Sequence, residues 1–241
     1  MTGVDRPLYH ADPYRTEAGG TVVAQTPDGA VILDQSLFYP TGGGQPGDGG
    51  RLVWADGALP IATADPADAG IALVPAEGTT LPPVGTAVVQ HLDWARRHCH
   101  MRMHTALHLL SVVIPLPVSG GQIGAARSRL DFDMPEAPDD RDTLEARLNE
   151  LVERDLPVTE DWITDAELAA QPGLVKTMSV APPRDAGQVR LIRIGAGADR
   201  VDLQPCGGTH VARTGEIGTL RLGKIEKKGR VNRRVYLHLD A

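Results

Sequence analysis

Four residues with metal-ligand chemistry stand in two distant pairs, His104-Thr-Ala-Leu-His108 and Cys206-Gly-Gly-Thr-His210. Imidazoles at i and i+4 of a helix lie on one face. A thiolate and a third imidazole, delivered from a glycine turn, would complete a tetrahedral N₃S zinc site. If the four meet, the fold must bring a helix and a turn together from opposite ends of a long segment. Nothing in the composition constrains the chain as strongly.

The surroundings of each half support that geometry. The stretch from Asp93 to Val113 is rich in helix formers, with Met101, Leu109 and Val113 as a buried stripe, and Pro115 and Pro117 end it. The run from Val201 to Val211 reads as a strand broken by Gly207 and Gly208. Those glycines let the backbone curl so that Cys206 and His210 reach one ion. His98 and His100 share the helix, and His100 stands four residues before His104. His100 could compete as a ligand, but an exposed or capping role suits it better. Four protein ligands describe a closed structural ion, whereas a catalytic ion keeps a position open or expands its shell. At this level both readings stand.

The chain is expected to be α+β in two domains, residues 1–92 and 93–241. The first reads as short strands at Thr21–Ala24, Ala30–Leu33, Arg51–Trp54, Ile71–Val74 and Thr86–Gln90, a spacing that suggests a small barrel. Ala55–Ala69, rich in Ala, Asp and Pro, reads as an exposed loop, and Ser119–Gly124 as a glycine turn. The second domain continues with a strand at Ser128–Asp133. A helix over about Thr143–Arg154 shows Leu144, Leu148, Leu151 and Val152 on one face. Strands are expected near Val158, Val189–Ile194, Val201–Leu203, Gly218–Leu222 and Val235–Leu239.

No window approaches the run of about 18 apolar residues that a membrane span needs, and the N-terminal residues lack the build of a signal peptide. Two cysteines, Cys99 and Cys206, make no disulfide framework, so a reducing, cytoplasmic setting is expected. Residues 221–234 hold seven cations (Arg221, Lys224, Lys227, Lys228, Arg230, Arg233, Arg234) against the single acid Glu226. That net of +6 leaves −13 on the rest of a chain whose total is −7. A basic stripe on an acidic body points to a local polyanion contact; the plain alternative is an edge strand guarded by Lys and Arg. Gly42-Gly-Gly-Gln-Pro-Gly-Asp is no phosphate loop, since no Lys-Ser/Thr follows it and no GxGxxG is present.

The wording MHTALHLL together with CGGTHV resembles the editing domains of alanyl-tRNA synthetase and the freestanding AlaX-type alanyl-tRNA editing proteins, with a related domain in threonyl-tRNA synthetase. RLDFDMPEA, EIGTLRLGKIEKKGRVNRRVYL and FYPTGGGQPGDGG extend the likeness, and the chain resembles a longer form with an N-terminal barrel-like domain and no room for an aminoacylation domain. The resemblance implies one Zn²⁺ per chain on His104, His108, Cys206 and His210. It implies a role for Thr105 in preferring serine over alanine, the bland reading being a threonine bonded to its own helix carbonyl. Gln122 matches a glutamine near the amino-acid pocket; a surface turn is its plain alternative. Thr41, Gly42, Gly43, Gly44 and Gln45 would form a second wall of the pocket. Lys227, Lys228, Arg233 and Arg234 would hold the tRNA 3′ end or acceptor phosphates. Tyr236 is the one aromatic beside that strip, so contacts to phosphate and ribose would dominate.

The expected activity is trans-editing: hydrolysis of mischarged tRNA, foremost Ser-tRNA(Ala) and then Gly-tRNA(Ala). No Ser-His-Asp or Cys-His nucleophile pattern is evident, because Cys206 is better used as a ligand. Two rivals are threonyl-type editing of Ser-tRNA(Thr) and a non-catalytic zinc-stabilised RNA-binding module.

Overall fold

The computed structural model describes residues 6–138, 140–177, 184–185 and 187–240. It divides into two units, one ending at His98 and the other beginning at Cys99. The division falls inside a long helix, α2.

The first unit opens with a single helical turn, α1 (Leu8–Ala11), followed by six antiparallel strands. They are β1 (Glu17–Gln25), β2 (Val31–Leu33), β3 (Gly50–Trp54), β4 (Gly57–Ala67), β5 (Gly70–Pro75) and β6 (Ala87–Leu92). They close into a barrel in the order β1-β2-β5-β4-β3-β6, which leaves no exposed sheet edge. Val22, Val31, Leu33, Leu52, Leu59, Ile61, Leu73 and Val88 fill the interior, with Leu37 and Phe38 closing it.

The expected loop at Ala55–Ala69 is corrected here. It is β4, an 11-residue strand paired with β3 on one side and β5 on the other. Ala, Asp and Pro hid the alternation that forms it. Leu59 and Ile61 point inward, a bulge between Ile61 and Thr63 shifts the phase, and Ala64 is the next to point in, while Pro60 and Pro66 face out.

Between β2 and β3 the chain makes a tight turn. Gly42 and Gln45 exchange backbone hydrogen bonds of 3.0 and 2.8 Å. Gly43 and Gly44 between them have φ of 56° and 83°, the pair of positive values that a type I′ turn needs. Gly47 approaches β4 so closely that a Cβ would lie 2.0 Å from the Ala64 carbonyl oxygen.

The loop is tied down by a buried ion pair. The Arg97 guanidinium donates to Asp48 Oδ2 at 2.8 Å, to the Leu37 carbonyl at 2.9 Å and to the Pro13 carbonyl at 3.0 Å. Asp48 Oδ2 also accepts from the Tyr39 N–H at 2.7 Å, and neither charged side chain is exposed.

Helix α2 runs Trp94–Val113, opened by Asp93, whose side chain accepts from the Arg96 N–H at 3.1 Å. In the second unit its Met101, Met103, Ala106, Leu109, Leu110 and Val113 are buried. Two antiparallel sheets complete that unit. One holds β7 (Val118–Gln122), β8 (Arg127–Asp133), β13 (Leu220–Lys227) and β14 (Asn232–Leu239), in the order β13-β14-β8-β7. In the other, β11 (Gln188–Ile194) pairs with β9 (Val158–Thr164), β10 (Arg184–Asp185) and β12 (Asp202–Pro205). Helix α3 (Arg141–Glu153), capped by Asp140, buries Leu148, Leu151 and Val152. A short α4 (Asp165–Ala169) begins on a Thr164–Glu167 capping box.

A second correction concerns Ser119–Gly124, which is largely strand β7 rather than a turn. Its glycines serve packing, since a Cβ on Gly121 would meet Leu130 Cδ2 at 3.0 Å. The architecture is thus α+β, with a closed barrel ahead of an α+β unit. Among the described residues no helix is long and apolar enough to cross a membrane.

Removing one partner of a buried pair leaves the other charge uncompensated, typically at a cost of about 3–5 kcal/mol. Arg97→Met should lower stability by that amount in urea unfolding. A loss under about 1 kcal/mol would show that the pair does not hold the loop.

Candidate metal centre

Helix α2 carries His104 and His108 one turn apart, with 6% of each exposed. Strand β12 runs straight into Cys206, and the following turn returns His210 to the same place. The ligand atoms of all four lie within 4.8 Å of one another. Cys206 Sγ stands 3.3 Å from His104 Nε2 and 3.3 Å from His210 Nε2. Metal bonds of about 2.0–2.3 Å place tetrahedral ligands roughly 3.3–3.8 Å apart. The three rings are in mutual contact, with centroids 4.3 to 5.4 Å apart. Three imidazoles and one thiol packed together have no apolar role, and this donor set suits a borderline-soft divalent ion.

The turn holding Cys206 is itself clamped. Arg190 of β11 is buried, and its Nη1 donates to the carbonyls of Cys206 at 3.0 Å and Gly208 at 2.9 Å. The Cys206 N–H returns a bond of 3.1 Å to the Arg190 carbonyl. Glu160 of β9 balances the guanidinium at 2.7 Å.

Outer groups fix the imidazoles. His108 Nδ1 lies 2.9 Å from Asp202 Oδ2, so that Nδ1–H donates to the carboxylate and the Nε2 lone pair is left for an ion. Asp202 also accepts from Gln204 Nε2 at 2.7 Å and, through its other oxygen, from Lys176 Nζ at 2.6 Å. Ser111 joins this group, donating to the His108 carbonyl at 2.8 Å. Burial opposes charge on Asp202, yet the bond from His108 and the charge of Lys176 hold its carboxyl below the ordinary range. Burial likewise disfavours a Cys206 thiolate, but the charges of His104 and His210 outweigh it and hold the thiol well below its usual value. His210 is pushed well down by burial and by His104. Burial opposes charge on His108, but Asp202 and Cys206 hold it up at about 9, so metal binding at this site must displace a proton.

The structure brings Thr105 to this centre as well. The side chain is fully buried and its hydroxyl is fully committed. It donates to the Met101 carbonyl at 2.9 Å, lies 3.2 Å from His210 Nδ1 and accepts from the Val211 N–H at 3.3 Å. Thr105 therefore makes the helix-carbonyl bond of the bland reading and also meets the His210 ring. His100 is buried rather than exposed, and His98 stacks on Trp94 with centroids 5.0 Å apart.

Gln122 is exposed on β7, and its Oε1 accepts from Arg129 at 3.2 Å. Gly42, Gly43, Gly44 and Gln45 form the type I′ turn of the barrel unit, with Thr41 just before it; Thr41 Oγ1 bonds Asp65 at 2.6 Å and Gln45 is buried. Lys227, Lys228, Arg233 and Arg234 are adjacent in sequence but divide over two faces of a hairpin. Arg234 pairs with both oxygens of Asp131 at 2.8 Å, and Lys228 with Glu226 at 2.9 Å. Arg233 donates to the carbonyls of Pro135, Gly229 and Asn232. Lys227 is exposed.

Sequence reasoning missed Asp202, Gln204, Lys176 and Arg190. Asp202 and Gln204 carried a signal: they alternate along β12 on its buried face, running directly into Cys206. Lys176 and Arg190 reach the centre only through tertiary contacts.

A family profile described as the threonyl and alanyl tRNA synthetase second additional domain matches residues 189–236. The alanyl-tRNA editing protein AlaX-M of Methanosarcina acetivorans is 33% identical over 245 residues, covering 96% of this chain and 98% of that protein. The chain belongs to the AlaX-M family of alanyl-tRNA editing proteins. The corresponding protein of Methanosarcina barkeri is 34% identical, again over 96% of this chain and 98% of its own length. The alanine–tRNA ligase of Pyrobaculum arsenaticum is 34% identical over 92% of this chain, which spans 25% of that larger protein.

Loss of an outer partner of a ligating histidine typically costs 10- to 100-fold in metal affinity. Asp202→Asn should weaken metal retention by about that factor in competition with a chelator. Unchanged retention would show that His108 does not depend on Asp202.

Proposed function

We propose that this protein is a trans-editing deacylase that hydrolyses the ester of mischarged tRNA, with Ser-tRNA(Ala) as its main substrate and Zn²⁺ as its metal. The observation that carries the reading is the buried N₃S cluster with oriented ligands, in a chain whose near full-length relatives are alanyl-tRNA editing proteins. Substrate and setting agree: the partner is tRNA, met in the cytoplasm.

His104, His108, Cys206 and His210 would hold the ion, and their donor types fit zinc. When bound, zinc supplies Lewis-acid polarisation of an ester carbonyl or activation of water. The chain's own residues do the rest. Asp202, Lys176 and Gln204 hold His108 in one tautomer, Thr105 orients His210, and Arg190 sets the turn that presents Cys206. The centre lies in a buried shell of apolar helix residues, where electrostatic interactions are strong. The terminal ester of an aminoacyl-tRNA is activated, so positioning and charge stabilisation suffice without a protein nucleophile. Gln122 and residues Thr41–Gln45 would contact the aminoacyl end, and Lys227, Lys228, Arg233 and Arg234 would contact RNA.

A deacylation panel tests the reading: Ser-, Gly- and Ala-tRNA(Ala), with Ser-tRNA(Thr) beside them. Ser-tRNA(Ala) should be cleaved fastest. Faster cleavage of Ser-tRNA(Thr) would move the protein to the threonyl type, and no cleavage of any would leave an RNA-binding module. Thr105→Val separates the two roles of that residue. With the hydroxyl engaged by His210, metal affinity should fall about 10- to 100-fold, while the ratio of seryl to alanyl hydrolysis stays near wild type. A changed ratio at unchanged metal affinity would make Thr105 a contact to the amino acid instead.

A further inference from the structure

We propose that one end of the open face of the β13-β14-β8-β7 sheet, formed by Arg221, His238 and Arg127, grips the phosphate backbone of the tRNA. This rests on the reading of tRNA as the substrate, and it moves the main RNA contact away from the residues that sequence order suggested.

Strand alternation decides which side chains share this face. On β8, Ser128, Leu130 and Phe132 are buried, so Arg127, Arg129 and Asp131 point the other way. On β14, Val235 and Leu237 are buried, so Arg234, Tyr236 and His238 point outward with them. The register then aligns the rows. Arg221 of β13 stands opposite His238 of β14, which stands opposite Arg127 of β8. In the next row Tyr236 faces Arg129, and Arg129 faces Gln122.

Charge is distributed unevenly along the face. The acids gather at the far end: Asp131 is taken up by Arg129 and Arg234, and Glu226 by Lys224 and Lys228. The near end carries two exposed arginines with little compensation. Among the described residues, Arg221 approaches the exposed Asp240, at 4.0 Å. Arg127 lies over the Tyr236 ring, 4.9 Å from its centroid, and Lys224 lies 5.5 Å from the same ring. Gly223 gives the row its room, since a Cβ there would fall 2.8 Å from His238 Nε2. Burial, then the charges of Arg221 and Arg127, push His238 below the usual imidazole value.

Two arginines flanking an imidazole across three rigid strands, on a protein with a net charge of −7, are complementary to a polyanion and to little else on an acidic body. Arginine adds bidentate geometry for phosphate oxygens. The strip read from sequence fits less well, because Arg234 is held by Asp131 and Arg233 by backbone carbonyls.

The test is the double variant Arg127→Ala/Arg221→Ala, with uncharged tRNA(Ala) as the probe in a binding titration against salt. Each phosphate contact contributes about 0.7–0.9 to the slope of log K against log salt. The slope should therefore fall by roughly 1.5, and affinity on the order of tenfold near 0.15 M salt. Arg127→Lys/Arg221→Lys, which keeps the charge, should recover most of the binding. Hydrolysis of seryl-adenosine, which carries no acceptor stem, should stay at the wild-type rate. Unchanged affinity and slope in the alanine variant would overturn the proposal, as would wild-type protein that fails to bind tRNA. If the wild type binds tRNA with the expected salt slope but cleaves no aminoacyl ester, the deacylase reading fails and this surface stands.

Discussion

The cluster of His104, His108, Cys206 and His210 depends on one electrostatic clamp. A turn containing two consecutive glycines has no preferred shape of its own, and ordering it costs backbone entropy. Arg190 meets that cost by bonding the carbonyls of Cys206 and Gly208 from a buried position, with Glu160 balancing its charge. Because Arg190 lies on the central strand of its sheet, the turn inherits the rigidity of β9, β11 and β12. Only then do Cys206 and His210 stand where the two helix histidines can meet them. A buried arginine without its carboxylate would be costly, so Glu160 supports the cluster through Arg190.

The second organising idea is that each ligand is held from behind by a different kind of group. His108 has a carboxylate, Asp202, itself braced by Lys176 and Gln204. His210 has the hydroxyl of Thr105, and Cys206 has the backbone geometry set by Arg190. Such preorganisation holds the four donor side chains in one arrangement before any substrate arrives. The barrel unit solves a different problem. Its glycine-rich turn projects from a closed barrel, and Arg97 with Asp48 keeps the base of that loop from fraying.

Much of this was legible in the residues. The i, i+4 histidines and the Cys-Gly-Gly-Thr-His turn were legible as the residues that meet in one cluster able to hold a metal, and proline marked the end of α2. What escaped has physical causes. Strand β4 was hidden because its bulge breaks the period of two and because its outward positions carry Pro60 and Pro66. Strand β7 was hidden because glycines that serve close packing against Leu130 look like turn glycines. The basic run 221–234 looked like one patch, yet alternation and a hairpin send its members to different faces and partners. Lys176 and Arg190 had no local signal, since their roles exist only once distant strands are paired.

The central claim is that His104, His108, Cys206 and His210 hold a single ion. The most direct measurement is the metal content of protein purified without chelators, together with the absorption of the cobalt(II)-substituted form. About one equivalent per chain is expected, with a sulfur-to-cobalt charge-transfer band that disappears, along with most of the metal, in Cys206→Ala. Wild-type protein fully active without metal, or a Cys206→Ala variant that keeps both its metal and that band, would contradict the account.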